Sequence, residues 1–415
     1  MNALSIHITG IVQGVGFRPF VYNLATGLGL NGWVRNTSAG VDIVLEGEQH
    51  LLDDFLRRLR AEVPPLAHLD EVTAAPCAPG GYQNFEILKS AGILDAFQPI
   101  SPDVSICPDC LRELFDPGDR RYLYPFINCT NCGPRFTIIK DIPYDRPKTT
   151  MADFPMCPAC AAEYRDPANR RFHAQPVACP ECGPQVWLEM AQIGQASTVP
   201  ASQAVSETQR LLAQGRIVAI KGLGGFHLAC DACNPRAVEE LRRRKLRVDK
   251  PFALMMPSLD VVEQHCYLSP DERALLESPA RPILLLRRRS ASSIADQVAP
   301  GQEHLGVMLP YTPLHYLLFS GDPAWQNTAL VMTSANLSEE PICTDNAEAR
   351  ERLSGLADAF LMHNRDIHIR TDDSVMRVLP DGGLYPVRRS RGYAPFPVRL
   401  PQEQPPLLAA GAELK

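Results

Sequence analysis

The sequence predicts a multidomain α+β protein in which two mixed α/β regions flank a cysteine-rich module. Short strand and helix patterns alternate over residues 1–90, and strand–helix alternation with β-branched strands returns from residue 203. Between these regions, eight cysteines fall into four Cys-x-x-Cys pairs. A chain of 415 residues is long enough for several domains of ordinary size.

The composition narrows the class of protein. The apolar fraction of 45% is ordinary for globular domains with real cores, and the net charge of −6 argues against a nucleic-acid backbone as the main partner. The N-terminus lacks a basic segment leading into an apolar run, and no apolar stretch reaches membrane-spanning length. Eight of 13 cysteines have metal-ligand spacing, which is typical of a reducing compartment. We therefore expect a cytoplasmic protein with neither a membrane nor a nucleic-acid partner.

The first region has the order strand–helix–strand–strand–helix–strand, followed by one more strand. The strands are predicted at 4–12, 32–36, 41–46, 69–75 and 84–88, and the helices at 18–28 and 49–62. The hairpin formed by the second and third strands makes this the βαββαβ order of a ferredoxin-like sandwich. We assign residues 1–90 to this domain.

A glycine-rich loop follows the first strand. Gly14 and Gly16 free the backbone to turn its N–H groups inward, a helix begins directly behind them, and Arg18 lies at the lip. The loop is therefore a candidate anion site, although a glycine turn beside a surface arginine is the plainer interpretation. The loop and the later segment 32–37 resemble acylphosphatase. That resemblance implies that Arg18 clamps a phosphoryl group, that Asn36 orients the attacking water, and that the loop binds phosphate through Gln13, Gly14, Val15, Gly16 and Phe17.

The cysteine pairs have the spacing of four-sulfur zinc sites. They are Cys107/Cys110, Cys129/Cys132, Cys157/Cys160 and Cys179/Cys182. Sequence features recur at a period of 50, so we expect the first four cysteines to hold one structural zinc and the last four another. Closure of the first pair on the last pair remains a geometric alternative. We interpret residues 106–187 as a rigid scaffold. We expect His173 to be structural or interfacial and not a metal ligand, because its counterpart in the first repeat is Leu123 and four sulfurs already saturate the ion.

The third region, residues 203–395, carries a dense basic run and a strand that ends in Ser334-Ala335-Asn336. A solvated helix face is one explanation of the basic run, and a polyanion site is the other. The region resembles the YrdC family, which uses ATP to make carbamoyl-type adenylates. The resemblance implies that ATP, with Mg²⁺, is bound by Lys221, Lys245, Arg247, Lys250, Ser334, Asn336, Ser390 and Arg391. The isolated pair Cys230/Cys233 is interpreted as packing.

Taken in order, the three regions resemble one family, the hydrogenase-maturation carbamoyltransferase HypF. This implies that carbamoyl phosphate is hydrolysed in the first domain and that the carbamate is adenylated by ATP in the third. A Kae1-like domain would then pass the carbamoyl group to the C-terminal cysteine of the partner HypE. We expect residues 396–415 to be a linker toward such a domain, and the chain to be a fragment. Two other classes remain open: a threonylcarbamoyl-adenylate enzyme of tRNA modification, and a zinc-ribbon nucleic-acid binder.

Overall fold

The computed structural model describes residues 2–91, 99–191, 198–321, 325–337 and 340–398, together with residues 402, 405 and 407. The chain forms two compact units. One consists of residues 1–102 and 127–183, and the other of residues 103–126 and 184–415.

The first unit contains the predicted sandwich. Its elements are β1 (Asn2–Ile11), α1 (Phe17–Gly27), β2 (Asn31–Thr37), β3 (Gly40–Gly47), α2 (Gln49–Ala61), β4 (His68–Pro76) and β5 (Phe85–Ile87). The strand order is β4-β1-β3-β2-β5, with β2 and β5 parallel and the other neighbours antiparallel. Helix α2 buries Leu52, Phe55 and Leu59, which recur every three to four residues along one face. The ferredoxin-like prediction is confirmed, and each element boundary lies within two residues of the predicted one.

The repeat predicted in the cysteine-rich region is visible in the backbone. Helices α3 (Pro108–Leu114) and α4 (Pro158–Arg165) each begin with a proline directly after a cysteine, Cys107 or Cys157. Further along each repeat, Leu123 and His173 both adopt left-handed backbone angles, with φ of 54° and 55°. Each N–H group donates to a carbonyl of its own repeat, at Leu114 (2.8 Å) or Tyr164 (3.0 Å). The two repeats therefore share a local fold.

The second unit is built on one large mixed sheet. Its strands are β6 (Val186–Met190), β7 (Thr198–Val199), β8 (Val218–Lys221), β9 (Phe226–Asp231), β10 (Ala253–Met255), β11 (Ile283–Arg287), β12 (His304–Met308), β13 (Leu330–Ser334), β14 (Ala359–His363), β15 (Val375–Val378) and β16 (Leu384–Arg388). Its remaining helices are α5 (Ala201–Ala213), α6 (Pro235–Lys245), α7 (Leu259–His265), α8 (Pro270–Glu277), α9 (Pro313–Leu318) and α10 (Asn346–Leu353). The strand order is β16-β15-β11-β12-β10-β13-β9-β8-β14-β6-β7.

The central strands of this sheet bring four polar side chains to one edge. Residue His227, at the start of β9, is paired with Ser334 at the end of β13 and with Ile220 near the end of β8. Strand β14 runs parallel to β8, so that His363 ends beside Lys221. Strand β8 is buried along its whole length, as expected of an internal strand covered on both faces.

None of the helices in the described part of the chain has the length and apolarity required to span a membrane.

Candidate active sites

The glycine-rich loop joins β1 to α1 and forms a cradle of backbone N–H groups. Gly14 and Gly16 have φ of 72° and 76°, a conformation that glycine adopts at little cost. Gly16 is also the N-cap of α1, and no side chain caps the helix there. The first N–H groups of the helix are therefore available to an anion, which the helix dipole also favours.

The two residues predicted to be catalytic lie together beside this cradle. Arg18 is in the first turn of α1 and is 7% exposed, while Asn36 is buried near the end of β2. With its amide oxygen turned toward the guanidinium, Asn36 accepts hydrogen bonds from Nε and Nη2 of Arg18 at 3.2 Å. Arg18 Nη2 also contacts Asp145 Oδ1 at 3.0 Å, and its Nη1 donates to Ser90 Oγ at 3.3 Å.

The Gln13 side chain has a bracing role in this structure. Its Nε2 donates to the carbonyls of Thr37 (2.7 Å) and Gly40 (3.0 Å), and its Oε1 accepts from the Tyr144 N–H at 3.1 Å. Because the amide group is buried and engaged on both sides, phosphate binding by this residue would use its main chain. That contact, like those of Val15 and Phe17, stays a prediction.

Residues 127–183 form part of the wall of the cavity that contains Arg18 and Asn36. This contribution was not predicted from the sequence. Arg135, His173 and Gln175 line the cavity together with Arg18 and Asn36. The guanidinium of Arg135 donates to the carbonyl of Gly14 in the cradle loop, and also to the carbonyls of Thr130 and Cys132 at 2.9 Å. One feature of the sequence could have pointed to Arg135: the 50-residue repeat is broken there, because the equivalent position in the second repeat is Gln185.

His173 was expected to be structural or interfacial, and the structure places it in the cavity lining. Its ring stacks on Tyr164 with centroids 5.0 Å apart. Burial, together with the nearby positive charge of Arg18, lowers the pKa of His173 to about 4. The imidazole is therefore neutral at physiological pH.

The cysteines form the two predicted groups of four, and within each group the ligand atoms lie within 4.8 Å of one another. In the second group, sulfur–sulfur distances are 3.7 Å for Cys157–Cys179, 3.7 Å for Cys179–Cys182 and 3.6 Å for Cys160–Cys182. A tetrahedral zinc with Zn–S bonds of about 2.3 Å requires separations of this size. Burial raises the pKa of Cys157, but hydrogen bonds from the Cys160 amide and the neighbouring thiols outweigh it and bring that pKa to about 7, which favours the metal-binding thiolate. The prediction of sequential pairing is confirmed, and the alternative closure of the first pair on the last is wrong.

A second candidate site lies at the sheet edge of the other unit. Lys245, the last residue of α6, is buried and donates its Nζ to the carbonyl of Ser334 at 2.9 Å and to the carbonyl of Asn336. Ser334 Oγ in turn donates to Asn336 Oδ1 at 2.9 Å. Arg247 Nη1 donates to Thr333 Oγ1 at 3.3 Å. The structure therefore brings four of the residues predicted to bind the nucleotide to the end of β13.

Two further lysines, also predicted to bind the nucleotide, belong to the same unit. Lys221 is buried at the end of β8 and donates to the His363 carbonyl at 3.1 Å, and burial lowers its pKa to about 8. Lys250 is exposed in the segment just before β10. Its own carbonyl accepts from Arg247 Nε at 2.9 Å, so the basic segment is folded back on itself.

Arg391 has protein partners on every side. It is 2% exposed, its Nε pairs with Asp373 at 2.6 Å, and its Nη1 and Nη2 donate to the carbonyls of Ala280 and Arg281 at 2.9 Å. The neighbouring Ser390 donates its N–H to Ser374 Oγ at 2.8 Å. Nucleotide contacts by these two residues stay predictions, and the observed partners of Arg391 favour a structural role.

Asp373 and His227 were not predicted as a pair. His227 Nε2 lies 2.9 Å from Asp373 Oδ2, and both side chains are buried. Burial would raise the pKa of Asp373, but the charge of Arg391 and the hydrogen bonds from His227 and Arg391 together outweigh it and hold that pKa far below its usual range. Asp373 is thus an ion-pair partner in this structure. Cys230 lies in the apolar core of the same unit, and its neighbour Cys233 contacts Ser293.

The fold and the sites define a class: multidomain proteins that join an acylphosphatase-like domain, zinc-finger repeats and a YrdC-like domain. Family models match in that order, as "Acylphosphatase" over residues 4–87, "HypF finger" over 106–139 and 156–189, and "Telomere recombination" (Sua5, YciO and YrdC) over 210–390. The chain belongs to the HypF carbamoyltransferase family.

Similar proteins support this membership. Carbamoyltransferase HypF2 of Cupriavidus necator is 52% identical over 429 residues, which is 99% of this chain and 52% of the relative. Carbamoyltransferase HypF of Synechocystis is 49% identical and covers 100% of this chain and 53% of the relative. A crystal structure of full-length HypF in the phosphate- and nucleotide-bound form superposes with a TM-score of 0.91 at 49% identity, over 97% of this chain and 52% of that one. The chain spans about half the length of the curated relatives it matches.

A shorter relative matches the first domain alone. The acylphosphatase of Thermotoga petrophila is 43% identical over 88 residues, which is 21% of this chain and 97% of the relative.

Proposed function

We propose that the protein acts in the maturation of [NiFe]-hydrogenases as a carbamoyltransferase that supplies the carbamoyl group for the cyanide ligand. The observation that carries the proposal is the Arg18–Asn36 pair at the glycine cradle, in a chain that also carries the Lys245–Ser334–Asn336 cluster. The first arrangement suits phosphoryl chemistry, and the second suits a nucleotide.

In the first half-reaction, carbamoyl phosphate and water give carbamate and inorganic phosphate. The N–H groups after Gly14 would bind the phosphoryl oxygens, and Arg18 would neutralise the charge that develops on them. Asn36 would orient the attacking water, because its amide oxygen is already held beside the guanidinium.

In the second half-reaction, a carbamate oxygen attacks the α-phosphorus of ATP and pyrophosphate leaves. Fixed cations stabilise this leaving group, and Arg247, Lys245 and Lys250 supply them near the hydroxyl and amide groups at the end of β13. Among the described residues, the clusters with metal-ligand geometry consist of cysteines. Mg²⁺ would therefore be held mainly by the phosphates of ATP, which is its usual mode of binding.

The carbamoyl adenylate would then pass its carbamoyl group to the C-terminal cysteine of HypE. Two zinc ions held by the cysteine groups would have a structural role, because four thiolates fill the tetrahedral coordination of zinc and leave no position for substrate. Reduced thiols in this number suit the cytoplasm.

Exchange of labelled pyrophosphate into ATP tests the proposal. Exchange should require carbamoyl phosphate, and Arg18→Ala should abolish it by removing the supply of carbamate. Exchange that depends instead on threonine plus bicarbonate, and that survives Arg18→Ala, would identify a threonylcarbamoyl-adenylate enzyme.

A further inference from the structure

Asp145 is an unusual neighbour for a phosphate-binding arginine. Its Oδ1 lies 3.0 Å from Arg18 Nη2, and the Arg18 side chain is 8% exposed. The Thermotoga acylphosphatase is matched over 97% of its length by 88 residues of this chain, so it has no counterpart of Asp145. The carboxylate is therefore an addition to a domain whose small relative lacks it.

The chain on both sides of Asp145 is fixed. The Tyr144 N–H donates to Gln13 Oε1 at 3.1 Å, and the Arg146 N–H donates to Gln175 Oε1 at 2.8 Å. The Arg146 guanidinium also donates to the carbonyls of Gln175, Val177 and Phe154 at 2.6–2.8 Å. Asp145 is thus held by its neighbours beside Arg18, which lines the cavity, as expected of a residue positioned for a ligand.

A carboxylate in this place opposes the binding of phosphate. It repels the anion and competes for the guanidinium that should neutralise it. A group that lowers affinity for the phosphoryl part of every acyl phosphate still favours the correct one if it recognises another part of that substrate.

The carbamoyl group carries an amino group that donates hydrogen bonds, whereas the acetyl group of similar size carries a methyl in its place. A carboxylate is acceptor-only and makes strong hydrogen bonds to such donors. We propose that Asp145 accepts a hydrogen bond from the amino group of carbamoyl phosphate and so selects this substrate among acyl phosphates. The inference rests on the proposed hydrolysis of carbamoyl phosphate.

When substrate binds, the phosphoryl group would replace Asp145 as the ion-pair partner of Arg18. The freed carboxylate would then accept a hydrogen bond from the amino group. Specificity would then come from the cysteine-rich module, while the sandwich domain supplies the chemistry common to acyl phosphates.

The test compares two substrates that differ by one group. Phosphate release from carbamoyl phosphate and from acetyl phosphate is measured with zinc-loaded protein carrying Asp145, Asp145→Ala or Asp145→Asn. The matched control is Asp141→Asn, which alters an exposed carboxylate of the same segment that pairs with Lys148 at 2.7 Å.

Asp145→Ala should lower the ratio of kcat/KM for carbamoyl phosphate to that for acetyl phosphate by about ten- to a hundredfold, with acetyl phosphate hydrolysis unchanged or raised. Asp145→Asn keeps an acceptor oxygen without the charge and should give an intermediate ratio. Asp141→Asn should leave the ratio unchanged. Because the ratio compares two substrates on one preparation, partial unfolding of a variant cancels from it.

An equal fall for both substrates would overturn the inference, since Asp145 would then only position Arg18. An unchanged ratio would overturn it as well. Both results leave the proposed function intact provided that the parent protein hydrolyses carbamoyl phosphate. If the parent protein fails to do so, the proposed function and the inference fall together.

Discussion

The side chain of Gln13 and the main chain of Tyr144 are joined by a hydrogen bond of 3.1 Å from the Tyr144 N–H to Gln13 Oε1. This bond ties the glycine cradle to the cysteine-rich part of the same unit. Since Gln13 Nε2 also holds the carbonyls of Thr37 and Gly40, one buried amide fixes the cradle to the β2–β3 hairpin as well. The position of the cradle therefore depends on residues far from it in sequence.

Gln13→Ala should destabilise the first unit by about 2–4 kcal/mol, because it leaves a buried N–H and two carbonyls without their partner. It should also raise KM for carbamoyl phosphate, since the cradle loses its brace. Thermal unfolding and phosphate release measure the two effects. The control is Gln83→Ala, which removes an exposed amide of the same domain, and equal stability of the two variants would contradict a bracing role for Gln13.

Arg18→Ala should reduce phosphate release from carbamoyl phosphate by at least about a thousandfold, because a charge-stabilising donor is lost at the reacting group. ATP binding, measured by calorimetry, should be unchanged. Arg57→Ala removes an exposed arginine of the same domain and should behave as the parent protein does. Substantial hydrolysis by Arg18→Ala would remove this residue from the site.

Lys245→Ala combined with Arg247→Ala should weaken ATP binding by about a hundredfold or more, since the pair contributes two cations and holds the end of β13 in place. Hydrolysis of acetyl phosphate should be unaffected. The matched control is Arg243→Ala on the same helix, where the arginine is exposed and pairs with Glu240 at 2.7 Å. If Arg243→Ala weakens ATP binding as much as the double variant does, then ATP responds to the overall positive charge of the segment, and a specific role for Lys245 and Arg247 is contradicted.

The sequence allowed the sandwich, the zinc pairing and the cluster at the end of β13 to be predicted, because each rests on local spacing or on motif residues. It did not reveal that Arg135 and His173 line the cavity beside the glycine-rich loop, or that Asp145 pairs with Arg18. Their contacts with Gly14 and Arg18 join positions more than 100 residues apart, and no periodicity reports such proximity. The ion pair between Asp373 and Arg391 likewise depends on the fold of the chain, since 18 residues separate the two positions.

His173 should make the stability of the first unit sensitive to acid. Its pKa is about 4 in the folded protein, against an ordinary value of 6.5, because burial and Arg18 disfavour the charged ring. The folded state therefore binds fewer protons than the unfolded state between these values. The stability from the neutral ring is fully present above about pH 6.5 and is lost as the pH falls toward 4.

His173→Asn tests this, since asparagine tolerates the left-handed backbone at this position. Between pH 7 and pH 5, the unfolding temperature of the parent protein should fall more steeply than that of the variant. Asp145 and Tyr164, which also lie near the ring, are the same in both proteins. His50→Asn removes an exposed histidine and should follow the parent curve, whereas parallel curves for the parent protein and His173→Asn would contradict the buried neutral ring.

Loss of the zinc held by the second cysteine group should lower the rate at which carbamoyl phosphate is hydrolysed. The cavity-lining segment from His173 to Pro176 lies in the chain between Cys160 and Cys179, so the metal fixes both ends of a wall of the site. Cys157→Ser with Cys160→Ser should reduce the zinc content from two ions to one and lower phosphate release at least about tenfold, because structural zinc contributes folding free energy directly. Metal analysis and phosphate release measure these effects, with Cys77→Ser as the control, since Cys77 lies outside both cysteine groups. A variant that holds one zinc and still hydrolyses carbamoyl phosphate at the parent rate would show that the wall keeps its shape without the metal.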